Sequence, residues 1–559
     1  MKYQILTDYY EKLEKTSKKL EKTDIIAELL KKTSHNSINK VVRLIRGSVF
    51  PEWSDEEMGV ADKLMIKAIA KAYGASEREV VNNFKKTGDL GTTAEYLNKL
   101  KRQRTLGKKE LTINKVFEDM EKIAKQSGAG SQERKLNLIA GLLSNAKPKE
   151  SIYIVRTVLG QLRVGVAGGI LRDAIAKAFK VDAREVERAW SLYPDYGEVA
   201  RILKKKGKRG ISRIGIELGK PMRLMLAIKS PDLKTALKDA KNPAIEYKYD
   251  GMRTQIHKKG SKIWLFTRRL ENVTKQFPDL VKLCKECIKA KECIIEGELL
   301  GIDPKTKRPL PFQKLSQRIH RKYDIGRMTK EIPIEMNLFD ITYLNGKLYF
   351  NEPLKTRLKA LEKIIKVKKG KFQIAARLET KNYKKAEEFY KKSLKAGHEG
   401  VVVKNLNAHY RIGRHVGHWW KVKPELENLD LTIIGATWGT GKRTGWLGSF
   451  VLGCKKGSKY VACGMLGTGV KEKAEGVTFK QLTKMLKPYI ISEKGNKVKI
   501  RPHIVIEVAY GEIQKSPNYE SGFALRFPRF IRLRPDKSVK QVDSVIRIKH
   551  LYNIQKGKK

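Results

Sequence analysis

The chain is short of acids. Its 60 Asp and Glu face 118 Lys and Arg, a formal net charge of +58. A solvated surface needs charge, but it does not need this surplus of one sign. The imbalance argues for a polyanionic partner, most simply nucleic acid, whose binding weakens steeply as salt rises. A lysine-rich proteome from a hot or salty habitat is the competing explanation. Long apolar runs are missing too. No stretch approaches the roughly 18 residues that a membrane helix needs. The opening MKYQILTDYYEKLEKTSKKLEKT has no signal-peptide apolar core, so a soluble, cytoplasmic protein without a membrane partner is expected. Cysteines number only five. CKEC at 284–287, with Cys293, offers part of a zinc site. No second C-x-x-C or nearby His completes a tetrahedral set. LVKLCKECIKAKECII reads instead as an amphipathic helix running into a strand, with free buried thiols. No low-complexity tail and no long internal repeat is apparent.

What is present divides the 559 residues into three regions, within the three or four domains that such a length suggests. Residues 1–222 read as all-helical: IIAELL, GVADKLMIKAIAKAYG and GILRDAIAKAFKV carry apolar residues at three- and four-residue steps. Basic runs such as KRQRTLGKK and KKKGKRG, and glycine turns such as GDLGTTAEYL and LGQLRVGVAGG, lie between. A glycine turn leading into a helix can present backbone N–H groups to phosphate, so this region is a candidate DNA-binding clamp. Residues 223–425 alternate strand-like segments (AIEYKY, IWLFT, CIIEGELLGI, IEMNLFDITYL, GVVVKN) with helices, an α+β domain. Residues 426–559 carry short strands with glycine turns, the pattern of a small β-barrel. GATWGTGKRTG in that region is not a P-loop: Ala436 and Arg443 stand where the motif needs Gly and Ser or Thr, and the context is strand–turn–strand.

EYKYDGMRTQIH, at 246–257, raises the chemical question. Asp250-Gly251 alone is a common hairpin turn, which would make Lys248 a solvated lysine beside it. Four further segments follow in order: TRRLENVT (267–274), IIEGELL (294–300), HEGVVVKN (398–405) and HWWKVKP (418–424). Together these resemble the nucleotidyltransferase motifs shared by DNA ligases, RNA ligases and mRNA capping enzymes. Their Lys-x-Asp-Gly-x-Arg signature is met by Lys248, Asp250, Gly251 and Arg253. PLPFQKLSQRIHRKYDI (309–325), EVAYGEIQKSPNYESGFALRFPRFIRLRPDK (507–537) and the helical first region narrow the resemblance to archaeal and eukaryotic ATP-dependent DNA ligases. Capping enzymes lack such a first region.

The resemblance implies a helical DNA-binding domain, an adenylation domain and an OB-fold domain, acting in replication, repair and recombination at the nucleoid. It implies Lys248 as the nucleophile toward ATP, with Mg²⁺ as the metal. A lysine amine attacks only when deprotonated, and nearby cations with partial desolvation favour that form. Arg253, Lys421 and Lys423 are the cations expected around it. Glu298 and Glu399 are placed near metal and ribose, Glu246 and Phe339 on adenine, and Arg268 on the ribose or phosphate. Lys421 and Lys423 are expected on the α-phosphate, and Arg534 and Lys537 on the departing pyrophosphate. The last pair requires a hinge closure, with KPELENLD (423–430) as the hinge. Two positions depart from the pattern. Arg414 and His415 stand where many relatives have Lys-Arg, and Arg414 is expected to take the nucleotide contact. The loop QRTLG (103–107) lacks both aromatics of a sliding-clamp docking loop, so clamp binding there is expected to be weak or absent. Nicked duplex DNA is the expected partner of a monomer. An RNA ligase, a capping guanylyltransferase, an NAD-dependent ligase and an inactive DNA binder are the alternatives.

Overall fold

Apolar periodicity does produce the expected helices. Among the described residues, helices run from Tyr3–Lys15 to Tyr196–Ser212 with no strand between them. The computed structural model describes residues 1–54, 56–101, 110–319, 324–412, 416–424, 426–439, 443, 445–472 and 476–555. Two compact units result: residues 1–387 with 401–422, and residues 388–400 with 423–559.

The helical region contains a duplication, against the expectation of no internal repeat. KAIAKAYGASEREVVNNFKKTGDLGTTAEYL (67–97) and DAIAKAFKVDAREVERAWSLYPDYGEVARIL (173–203) align without a gap. They share AIAKA, REV and an Asp-x-Gly helix start. Asp89 caps helix Leu90–Lys99 by accepting from the Gly91 N–H, and Asp195 caps helix Tyr196–Ser212 by accepting from the Gly197 N–H. Both glycines are needed for close approach. A Cβ on Gly91 would lie 2.8 Å from the Ile152 carbonyl oxygen, and one on Gly197 2.7 Å from that of Asn39. Arg156 and Arg43 then bond Asp89 and Asp195 at 3.0 and 2.5 Å. Lys22 of the first half donates to the Val164 carbonyl, and Lys135 of the second to the Met58 carbonyl, at 2.5 and 2.6 Å. Each half thus caps the other. The spacing of the copies lies far beyond the roughly 20–50-residue periods of stacked repeats, which is why a scan for short periods misses it.

The strands of the first unit are β1 (Leu226–Lys229), β2 (Pro243–Tyr247), β3 (Met252–Lys259), β4 (Lys262–Thr267), β5 (Glu292–Gly301), β6 (Ile334–Leu344), β7 (Lys347–Leu348), β8 (Phe372–Ile374), β9 (Arg377–Glu379), β10 (Val401–Asn405) and β11 (Val416–Val422). One sheet has the order β1-β11-β10-β2-β9; the other has β4-β3-β5-β6-β7, with β8 beside β6. Alternation along β5 explains how the layers pack. Ile295 and Leu299 join a core with helix Pro278–Cys287. Ile294 and Leu300 join Met222, Met225, Tyr249, Phe339, Tyr410 and Trp419 in a second core. The expected helix-into-strand reading of the cysteine segment holds, and all five cysteines are free and buried.

The second unit adds β12 (Leu429–Trp438), β13 (Leu447–Lys456), β14 (Lys459–Leu466), β15 (Ile490–Lys494), β16 (Lys497–Ile500), β17 (Val505–Ala509), β18 (Glu512–Lys515), β19 (Phe523–Arg526) and β20 (Arg529–Leu533). Long β12 pairs with β13 on one side and with both β16 and β17 along the other. The sheet is open among the described residues, which is consistent with the partly open barrel of an OB-fold. The glycine-rich segment at 435–445 begins in β12 and precedes β13, and its residues 440–442 and 444 lie outside the described residues. No described helix is long and apolar enough to cross a membrane.

Candidate active site

Lys248 lies on the short passage from β2, in one sheet, to β3, in the other. Asp250-Gly251 therefore closes no hairpin. Its glycine is required for a different reason: a Cβ there would sit 2.4 Å from the Leu299 carbonyl oxygen and 3.0 Å from Glu298 Cγ. The Lys248 loop is pressed onto β5 at Glu298, the candidate metal ligand. Tyr249 is buried and accepts a hydrogen bond from the Ala376 N–H at 3.0 Å. Asp250 is also buried, whereas Lys248 is half-buried. A lysine followed directly by two buried anchors is held at the junction of the sheets rather than loose on a turn.

Behind the loop lies a set of buried acid–base pairs. Arg253 on β3 bonds Glu296 on β5 at 2.5 Å and donates to the Met225 carbonyl at 2.7 Å. The Tyr410 hydroxyl donates to the other Glu296 oxygen and accepts from the Met225 N–H. Burial, then the Glu296 charge, holds that phenol protonated well above its ordinary value. Glu246 on β2 pairs with Lys404 on β10 at 2.5 Å. Burial pushes the Glu246 carboxyl up and the Lys404 amine down, and the ion pair opposes both shifts. The Lys404 ammonium lies 4.3 Å from the ring centroids of both Phe339 and Trp419, and the Arg253 guanidinium 5.4 Å from Phe339. Glu246, Arg253 and Phe339, three of the expected nucleotide contacts, are thus brought together. Lys404, not among the expected contacts, packs into the same group. The available signal was a lysine closing the valine run of HEGVVVKN, where an ammonium must find a buried partner.

The other candidates are placed as follows. Glu298 is half-buried on β5, opposite Arg253 in the strand register. Arg268 is exposed on the turn after β4, and Lys421 is half-buried on β11. Among the cations expected around Lys248, Arg253 is ion-paired with Glu296 and Lys423 with Glu399. In the second unit Arg534 and Lys537 converge on Asp430, at 2.9 and 2.6 Å. Arg414, His415 and the loop 103–107 lie outside the described residues.

A lysine on the passage between two sheets, with buried acid–base pairs behind it and a β-rich unit after it, is the arrangement that the nucleotidyltransferase resemblance calls for. Comparison with known proteins narrows it. Residues 2–176 match the family model for the DNA ligase N terminus, 224–423 that for the ATP dependent DNA ligase domain, and 443–537 that for the ATP dependent DNA ligase C terminal region. A DNA ligase of Nanoarchaeum equitans is 48% identical over 100% of this chain and 99% of its own. One of Thermococcus onnurineus is 46% identical over 99% and 98%. A solved structure named Pmar-Lig_PreS3 aligns with 95% of this chain and 99% of its own, at 16% identity and a TM-score of 0.55, which speaks for the fold alone. The chain belongs to the ATP-dependent DNA ligase family.

Proposed function

We propose that the protein seals nicks in duplex DNA through an AMP group carried on Lys248. The Lys248 nitrogen attacks the α-phosphorus of ATP and loses its proton. The bond to pyrophosphate breaks and a phosphoamide forms. The 5′-phosphate of the nick then displaces the lysine, and the 3′-hydroxyl finally displaces AMP to close the strand. Each step is phosphoryl transfer, in which positioning and charge neutralisation carry most of the catalysis. The observation that carries this reading is the Lys248 loop, pinned by Gly251 against the strand of Glu298.

Glu246 and Phe339 receive the adenine, Arg253 and Arg268 the ribose and phosphate, and Lys421 and Lys423 the α-phosphate. Arg534 and Lys537 orient pyrophosphate after the second unit closes about residues 423–430. Mg²⁺ takes few carboxylates together with phosphate oxygens and water. Glu298, a half-buried carboxylate against the nucleophile loop, fits that donor set, with Glu399 the second candidate. When bound, the ion would neutralise phosphate charge. The protein works as a monomer on nucleoid DNA.

The test uses ATP labelled on the α-phosphate. Wild-type protein should hold label through denaturing electrophoresis and lose it to nicked duplex as sealed product appears. Lys248→Ala should bind the nick and take no label. Label retained by that variant sinks the assignment.

A further inference from the structure

We propose that Lys404 determines which purine nucleotide Lys248 accepts, by holding Glu246 as a carboxylate. This rests on Glu246 meeting the base, as put forward above. Adenine offers an amino group where guanine offers a carbonyl oxygen. A carboxylate accepts from the first and repels the second. A protonated carboxyl can donate to the second. The charge on Glu246 therefore selects the base.

Among the described residues, the geometry gives that charge one direct ion-pair partner. β2 and β10 are neighbours, with Glu246 opposite Val402 and Lys404 opposite Ala244. The two side chains meet diagonally across one face of the sheet, 3% and 4% exposed. The Phe339 and Trp419 rings, edge to face at 5.9 Å, close over the ammonium. Lys404 is thus too deep to serve as a solvent-facing phosphate clamp. The other charges acting on the pair are Asp340 from β6, Arg377 from β9 and Arg253 from β3. Each is matched elsewhere. Asp340 pairs with Arg357 at 2.7 Å, Arg377 with Glu362 and Glu379, and Arg253 with Glu296. Burial alone favours the neutral carboxyl, so removing Lys404 leaves Glu246 to take up a proton.

Full-length Lys404→Met, Lys404→Gln and Lys404→Arg are compared with wild type in self-labelling by ATP and by GTP, from pH 6 to 9. Met and Gln should cut the ATP-over-GTP preference by about tenfold or more, since an unmatched polar group is what rejects the wrong ligand. Labelling by ATP should recover as pH rises and Glu246 ionises again. Arg should keep the preference. A thermal melt and nick binding, which do not read the base contact, report whether each variant is folded, and the Gln variant carries the test where the Met variant is not. If ATP and GTP labelling fall in parallel, or the preference survives without pH dependence, Lys404 is structural and the inference fails. Glu246→Gln separates this from failure of the underlying reading. If that variant keeps wild-type preference, Glu246 does not meet the base. If it loses preference while Lys404→Gln keeps it, only the role of Lys404 is wrong.

Discussion

Gly251→Ala tests the geometry that places Lys248, the proposed nucleophile. The added Cβ would lie 2.4 Å from the Leu299 carbonyl oxygen, 2.8 Å from Leu300 Cδ2 and 3.0 Å from Glu298 Cγ. The leucine side chain can turn away, but the carbonyl cannot. Leu299 sits inside β5, opposite Met252 on β3 and Met336 on β6. The first contact is about 1 Å short of van der Waals distance, so the 248–251 loop is the element that must move. Overpacking of this kind costs about 1–3 kcal/mol, which leaves a protein of this size folded. Displacing a reacting group by about 1 Å costs on the order of 10²-fold in rate. Single-turnover labelling by ATP should therefore slow by about two orders of magnitude, while the melting temperature falls only modestly. Sealing of a pre-adenylated nick should be less affected, because it does not require attack by Lys248. A folded Gly251→Ala protein that labels at the wild-type rate would refute the close-approach account of this motif.

Three further outcomes are expected. His257 accepts from the Gly219 N–H on Nδ1 at 3.2 Å and donates from Nε2 to Gln255 at 2.8 Å, and burial lowers its pKa from 6.5 to about 3. The unfolded chain takes up this proton near pH 6.5 and the folded chain does not until about 3, so stability drops as pH falls through that window. Between pH 7 and 5 this one group should remove roughly 2 kcal/mol. Denaturant unfolding should show a shallower pH slope for His257→Gln, and identical slopes would discount the histidine. Asp430→Asn should lower the pyrophosphate concentration that half-saturates reversal of self-labelling, because Arg534 and Lys537 lose the carboxylate on which they now converge; an unchanged half-saturation would argue that the two cations do not meet pyrophosphate. Nick affinity, read by fluorescence anisotropy, should fall linearly in a log–log plot against salt, and a flat plot would remove the electrostatic explanation of the +58 charge.

Much of the fold was legible because periodicity reports burial. Helices in the first region, mixed strands and helices in the second and a β-rich third follow from apolar spacing. The motifs located Lys248 because residue order and type survive without coordinates. Other features were hidden for specific reasons. Asp250-Gly251 looks like a turn because local sequence does not show that β2 and β3 belong to different sheets. The duplication was missed because its copies keep few identities outside AIAKA, REV and the Asp-x-Gly caps, at a long spacing. Lys404 was passed over because its partner, Glu246, lies far away in sequence, and only strand pairing makes them neighbours. Ion pairs of Arg253 and Lys423 were equally invisible, because only the fold brings Glu296 and Glu399 to them.

The charged groups of this protein fall into two physical classes, and the division follows the expected ligand. Pairs assigned to the base and ribose are deep: Glu246 with Lys404 at 4% and 3% exposure, Arg253 with Glu296 at 13% and 0%. Breaking one member of such a pair strands a buried charge and is strongly destabilising. These groups cannot exchange partners during turnover, which suits recognition of an unchanging base. The lysine pairs assigned to the phosphate side are shallower: Lys423 with Glu399 at 37% and 24%, Lys537 with Asp430 at 31% and 13%; Arg534, on the same Asp430, is deeper at 15%. Solvent-exposed pairs of this kind are worth little, so a polyphosphate carrying several charges can take the cation and later return it to its carboxylate. Exchangeable partners suit a cycle in which pyrophosphate must leave before DNA is sealed. Replacing Lys537 should therefore change nucleotide turnover with little loss of stability, whereas replacing Glu296 should cost stability first. The opposite order in a pair of melting and labelling curves would break this division.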